Sequence, residues 1–107
     1  MEPLWRPSAE RIAAAKLNAF IAAVNRRWHG DCTDYGSLWR WSVTQPAAFW
    51  TAVWEECGVY GERGEKVLES GERMPGARWF PQARINYAEN LLRRHDDADA
   101  LVFWGEA

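Results

Sequence analysis

The run ARWFPQARINYAENLLRRH, Ala77 to His95, decides how this chain is read. Its first half is extended chain. Trp79 and Phe80 are bulky and strand-compatible, and Pro81 removes a backbone donor and stops a helix from forming across it. Its second half is a helix with a marked start. Asn86 is an N-cap acceptor, and Glu89, three residues on, reaches back to the Asn86 amide to complete a capping box. Leu91, Leu92 and His95 then share one face at helical spacing. Arg93, Arg94 and His95 close a helix running Tyr87–Arg94, where cations suit the negative end of the dipole. A brief extended piece followed by a short helix points to a mostly α fold with short β segments, an α+β class.

Upstream lies a second informative stretch, YGSLWRWSVTQPAAFWTAVWEECGV, Tyr35 to Val59. A helix over Tyr35–Thr44 buries Leu38, Trp41 and Trp39. Pro46 ends it and opens the next, where a missing amide costs nothing. Phe49, Trp50, Val53, Trp54 and Cys57 form one face, and Gly58 is the C-terminal stop. The stretch therefore reads as a helical hairpin with a Trp-lined seam. Before it, Pro3 and Pro7 hold an extended arm anchored by Leu4 and Trp5, and Ser8 caps a helix with Glu10 in its first turn. Leu17, Phe20, Ile21, Val24 and Trp28 continue the helical period. Asn18 weakens its middle and can restart it, Arg26 and Arg27 fill the last turn, and Gly30 stops it. Asp31–Asp34 is a polar turn.

Between Gly58 and Gly76 the pattern dissolves into glycine and charge, with Val67 and Leu68 as a short strand. Past His95, residues 96–99 are an acidic turn. Ala100–Trp104 is the best strand candidate in the chain, and Gly105–Glu106 begins a hairpin turn with no returning strand before Ala107. Such a strand has no local ladder and is expected to be mobile, to borrow another edge or to self-associate.

Two parts of the chain carry a resemblance: the Trp-rich hairpin and the run MPGARWFPQARINYAENLL, Met74 to Leu92. The second resembles the linker-and-helix segment of acyl-CoA synthetases of the adenylate-forming superfamily, in the acetoacetyl-CoA synthetase branch. The family form is an aromatic pair, a short turn with glycine, an apolar residue, then Asn and a helix ending in basic residues. Gln82 stands where many members carry glycine. The resemblance covers Pro3 to Glu106. It implies a helical cap over residues 1–99, followed at 100–107 by the start, in a first strand, of a large nucleotide-binding domain that is the cap's packing partner. It also implies an acid–thiol ligase that uses ATP, magnesium and coenzyme A. The family's phosphate-gripping loop, adenine pocket, hinge and catalytic lysine belong to later segments, so the resemblance assigns no catalytic, cofactor-binding or metal residue to these positions. A free-standing Trp-rich interaction module is the competing reading.

The bulk properties narrow the rest. The 107 residues suffice for one small domain. A net charge of −2 offers no basic surplus for nucleic acid and no polybasic membrane patch. The N-terminus lacks a signal-peptide pattern, no apolar run reaches transmembrane length, and Cys32 and Cys57 lack metal-ligand spacing, so the cytoplasm is the expected location. Eight tryptophans must either fill a core or cover a surface that another domain buries.

Candidate chemistry is sparse. Gly58, Gly61 and Gly64 with Lys66 lack phosphate-loop spacing and a preceding strand. His29 and His95 sit at helix ends, which suits a structural role. Asp31 and Asp34 beside Cys32 raise a thiol pKa instead of activating it. Asp96, Asp97 and Asp99 lack the calcium-loop spacing. Arg78, Arg84, Arg93 and Arg94 are of a type that grips phosphate; Arg–carboxylate pairs within the fold or a domain interface explain them equally well, and the interface is the preferred reading.

Overall fold

The computed structural model describes residues 4–106. In chain order these form α1 (Ala9–Ala13), α2 (Lys16–Trp28), α3 (Tyr35–Thr44), α4 (Pro46–Glu56), β1 (Leu68–Glu69), β2 (Arg78–Trp79) and α5 (Tyr87–Leu91). The class is mostly helical with one small antiparallel ladder, in which Leu68 faces Trp79 and Glu69 faces Arg78. Pro3, part of the leading arm, and Ala107 lie outside the described residues.

Local signals explain most of these elements. The Ser8 hydroxyl accepts the Arg11 amide and starts α1. The helix breaks after Ala14 and resumes at Lys16, two residues before the Asn18 restart that the sequence suggests. Asn18 closes the broken end instead: its Nδ2 donates to the carbonyls of Ile12 at 2.7 Å and Ala13 at 3.2 Å. Asp34 and Ser37 form a full capping box at the start of α3, and Pro46 opens α4. Gly58, at φ 61°, stops α4 in the left-handed conformation that glycine adopts without strain. The stop of α2 is different from the one expected. His29 takes the left-handed position at φ 51°, and Gly30 serves as a close-packing point, where a Cβ would lie 2.6 Å from Val24 Cγ1.

The core is small. Val24 and Ala52 are fully buried, and Cys32 and Leu38 close the cluster. Phe20, Ile21, Trp28 and Trp41 pack around it. Phe49 is the aromatic hub of the three long helices, meeting Phe20 and Trp41 edge-on, each at 6.1 Å, and Trp50 at 5.3 Å. Several expected core positions are not core. Trp39 is 55% exposed and Cys57 is exposed, because the inner seam of the hairpin is made by Leu38, Phe49 and the small Ala52. Trp54 is partly covered and Trp50 is 43% exposed; both turn toward the ladder.

Two corrections concern the C-terminal part. Helix α5 ends at Leu91 instead of Arg94, so Arg93, Arg94 and His95 lie beyond it. Residues 100–104 form no strand; Leu101, Phe103 and Trp104 stand about as open as in an extended chain. With no ladder partner among the described residues, β propensity has nothing to pair with.

The chain is expanded for its length. Its radius of gyration is 18.2 Å, against about 13 Å for a compact domain of this size. Its accessible surface is 9477 Å², against roughly 6,100 Å² for a folded protein of this mass.

These packing grades predict a ranking of stability losses. Leu38→Ala costs about 3 kcal/mol, Trp54→Ala about 2, and Trp50→Ala about 1. Urea midpoints of the three variants check it. A Trp50→Ala loss equal to that of Leu38→Ala would place this face inside the core.

Candidate functional site

The residues that carry specific geometry lie where the glycine-rich connection, the Trp79–Phe80 turn and α5 meet the end of α4. Two aromatic pairs set the docking. Trp50 meets Trp79 with ring centroids 5.8 Å apart, and Trp54 meets Phe80 at 5.0 Å. The spacing of Trp50 and Trp54 by four residues puts both rings on one helical face. Trp79 and Phe80 are consecutive, and an ideal strand would send them to opposite faces. Phe80 escapes this by adopting φ 44°, which ends the strand and turns its ring toward Trp54. Its amide still donates to the Val67 carbonyl at 2.8 Å.

Gln82 then secures the turn. Its Oε1 accepts the amides of Glu65 at 3.1 Å and Lys66 at 3.2 Å. A glycine at this position has no side chain with which to make these bonds. Further along, Glu62 and Arg84 exchange both backbone hydrogen bonds, at 2.9 and 2.8 Å. Gly61 permits this approach: its φ is 143°, and a Cβ there would lie 2.5 Å from the Arg84 carbonyl oxygen.

Half of the Asn86 capping box forms. Asn86 Oδ1 accepts the amides of Ala88 at 3.0 Å and Glu89 at 3.3 Å, with no return bond from Glu89 among the described residues. Asn90 does more. Its side chain behaves as a strand residue toward Tyr60, accepting the Tyr60 amide at 2.9 Å and donating to the Tyr60 carbonyl at 2.8 Å. The partners are thirty residues apart, so no local sequence signal announces the pair. Arg93 donates to the Gly58 carbonyl at 2.5 Å and stacks over the Tyr60 ring at 5.0 Å.

Two of the other arginines singled out from the sequence have carboxylate partners. Arg78 pairs with Glu69 at 3.3 Å and Arg94 with Asp96 at 2.8 Å. Arg84 contributes through its backbone. Arg27, which the sequence places in the last turn of the helix, bridges Glu55 and Glu56 and ties α2 to the end of α4. In the glycine-rich connection the Lys66 amide is taken by Gln82, and its ammonium is paired with Glu69 at 2.7 Å. That bond is also the main reason the Glu69 carboxyl sits below its ordinary value. No group of three or more His, Cys, Asp or Glu among the described residues is placed to hold a metal ion. No helix among the described residues is long and apolar enough to cross a membrane.

Cys32 is a buried thiol. Its backbone is fixed by Asn25, which accepts the Cys32 amide and donates to its carbonyl, both at 2.7 Å. Burial, then the carboxylates of Asp31 and Asp34, push the thiol above its ordinary value of 9.0. This is an inert core thiol. Asp34 moves the other way, lowered chiefly by the Ser37 amide at the helix cap.

The aromatic seam, the Asn86-capped α5 and the hairpin between them span the region recognised by the family model described as acetyl-coenzyme A synthetase N-terminus, which matches residues 35–91. The chain belongs to this family. The match covers more than half of the chain and begins at the first residue of α3. Among curated relatives, the chain is 49% identical to the acetoacetyl-coenzyme A synthetase of Rhizobium meliloti (strain 1021) over 104 residues, 97% of this chain and 16% of that protein. It is 34% identical to the acetoacetyl-CoA synthetase of Danio rerio over 94% of this chain and 15% of the relative. It is 38% identical to malonamoyl-CoA synthetase vrtB of Penicillium aethiopicum over 85% of this chain and 13% of the relative. The chain thus spans about one sixth of the length of these relatives. No solved structure matches it.

Two outcomes test this region. Gln82→Ala lowers stability by about 1 kcal/mol and speeds exchange of the Glu65 and Lys66 amides; unchanged protection there means that the side chain does not hold the loop. For Cys32, the raised folded value means that its contribution to stability is fully present below 9.0 and is lost as pH rises through the folded value. Wild type therefore loses more stability than Cys32→Ala between neutral pH and pH ~10.5, and parallel losses in urea melts contradict the assignment.

Proposed function

We propose that this chain is the N-terminal region of an acid–thiol ligase of the acetoacetyl-CoA synthetase kind, acting as a helical cap and not as catalytic machinery. The observation that carries this reading is the 49% identity to an acetoacetyl-coenzyme A synthetase across 97% of the chain. The parent reaction converts acetoacetate, ATP and coenzyme A to acetoacetyl-CoA, AMP and diphosphate, with magnesium, in the cytoplasm. Residues 1–99 form the cap and 100–107 lead into the large nucleotide-binding domain, which is the cap's partner.

The surface supports this reading. The exposed area exceeds that of a compact protein of this mass by roughly 3,400 Å², more than the roughly 1,000–2,500 Å² that one partner typically contributes to a permanent interface. Leu101, Val102, Phe103 and Trp104, at 66–95% exposure, are apolar groups of the kind such an interface covers. The free-standing module is not favoured, because the similarity to synthetases runs through nearly the whole chain.

The test uses pyrophosphate release with ATP, magnesium, acetoacetate and coenzyme A. The isolated chain gives none above background. The Rhizobium meliloti enzyme with its matching region replaced by this chain keeps its turnover. Turnover by the isolated chain refutes the non-catalytic role, and a folded chimera without acetoacetyl-CoA formation refutes the cap.

A further inference from the structure

We propose that Arg84–Arg93, comprising α5 and the chain leading into it, is a latch that opens as a unit of its own while α2, α3 and α4 stay folded. The inference does not depend on the ligase reading. Its first support is burial. From Arg84 to Arg93 every residue is exposed except Asn90, which is partly covered. Tyr87, Leu91 and Leu92 stand 76%, 67% and 65% exposed with the latch closed. Opening therefore transfers little further apolar surface to water, and the hydrophobic effect does little to oppose it.

The second support is what holds the latch shut. The fastenings are the Asn90 pair with the Tyr60 backbone, the Arg93 bonds to the Cys57 and Gly58 carbonyls with its stacking on the exposed Tyr60 ring, and the Glu62–Arg84 bridge. The apolar contribution is Ile85 lying against Gly61, and Ile85 is itself 56% exposed. Water can replace each exposed polar fastening, so each is weak in net terms. Released, the five-residue α5 is too short to persist as an isolated helix and gains chain entropy by unravelling. The body behaves differently, because Val24 and Ala52 are fully buried and cannot be exposed without breaking the aromatic seam. Closed, the latch fixes the direction in which residues 94–106 leave the end of α4; open, it frees that direction.

Native-state amide exchange on the whole chain tests the proposal. The expected result is that the Tyr60, Asn90 and Leu92 amides exchange about 100-fold faster than those of Val24 and Ala52, at low denaturant, through local opening. Asn90→Ala is expected to speed Tyr60 exchange about tenfold, with Val24 and Ala52 unchanged. Uniform exchange across both sets in wild type overturns the latch. So does an Asn90→Ala variant in which all five amides accelerate together, because either outcome makes α5 part of one cooperative unit.

Discussion

Everything after α4 depends on the contact between two residues of that helix, Trp50 and Trp54, and two consecutive residues of the turn, Trp79 and Phe80. Among the described residues the fully buried side chains all belong to the helical part, so the β1–β2 ladder has no core of its own. A two-residue ladder is far below the size at which a sheet is stable alone. Docking the aromatic pair onto α4 supplies what the ladder lacks, and the unusual backbone of Phe80 follows from that demand.

Beyond this apolar joint, side-chain amides hold the irregular chain. Asn18 closes the end of α1, Asn25 fixes Cys32, Gln82 fixes the Glu65–Lys66 backbone, and Asn90 pairs with Tyr60. An amide side chain offers donor and acceptor together and can imitate a backbone partner. This suits a glycine-rich connection in which regular ladders are two residues long.

Elements governed by adjacent residues were legible in the sequence. The bounds of α3, the Pro46 start of α4, the Gly58 stop and the Asn86 cap all depend on groups within four positions of one another. The misreadings arise where distant contacts decide. Helix α5 stops early because it buries no face, and Arg93 turns back to the end of α4 instead of adding a turn. Ala100–Trp104 has strand composition, yet a strand needs a partner that composition does not supply. Gln82 looked like a departure from a glycine turn, and its role appears only once residues sixteen and seventeen positions away lie against it. Lys66, Arg78 and Arg94 stand out in the sequence by type and spacing, but their carboxylate partners, Glu69 and Asp96, are seen only in the fold.

The open shape has a hydrodynamic consequence. At a radius of gyration of 18.2 Å, a single copy fills the space of a compact chain of roughly 260 residues. On a sizing column such a monomer elutes ahead of its mass and passes for a dimer. Its state of assembly therefore has to be read from absolute mass, by light scattering or sedimentation equilibrium, because elution volume reports shape as much as copy number.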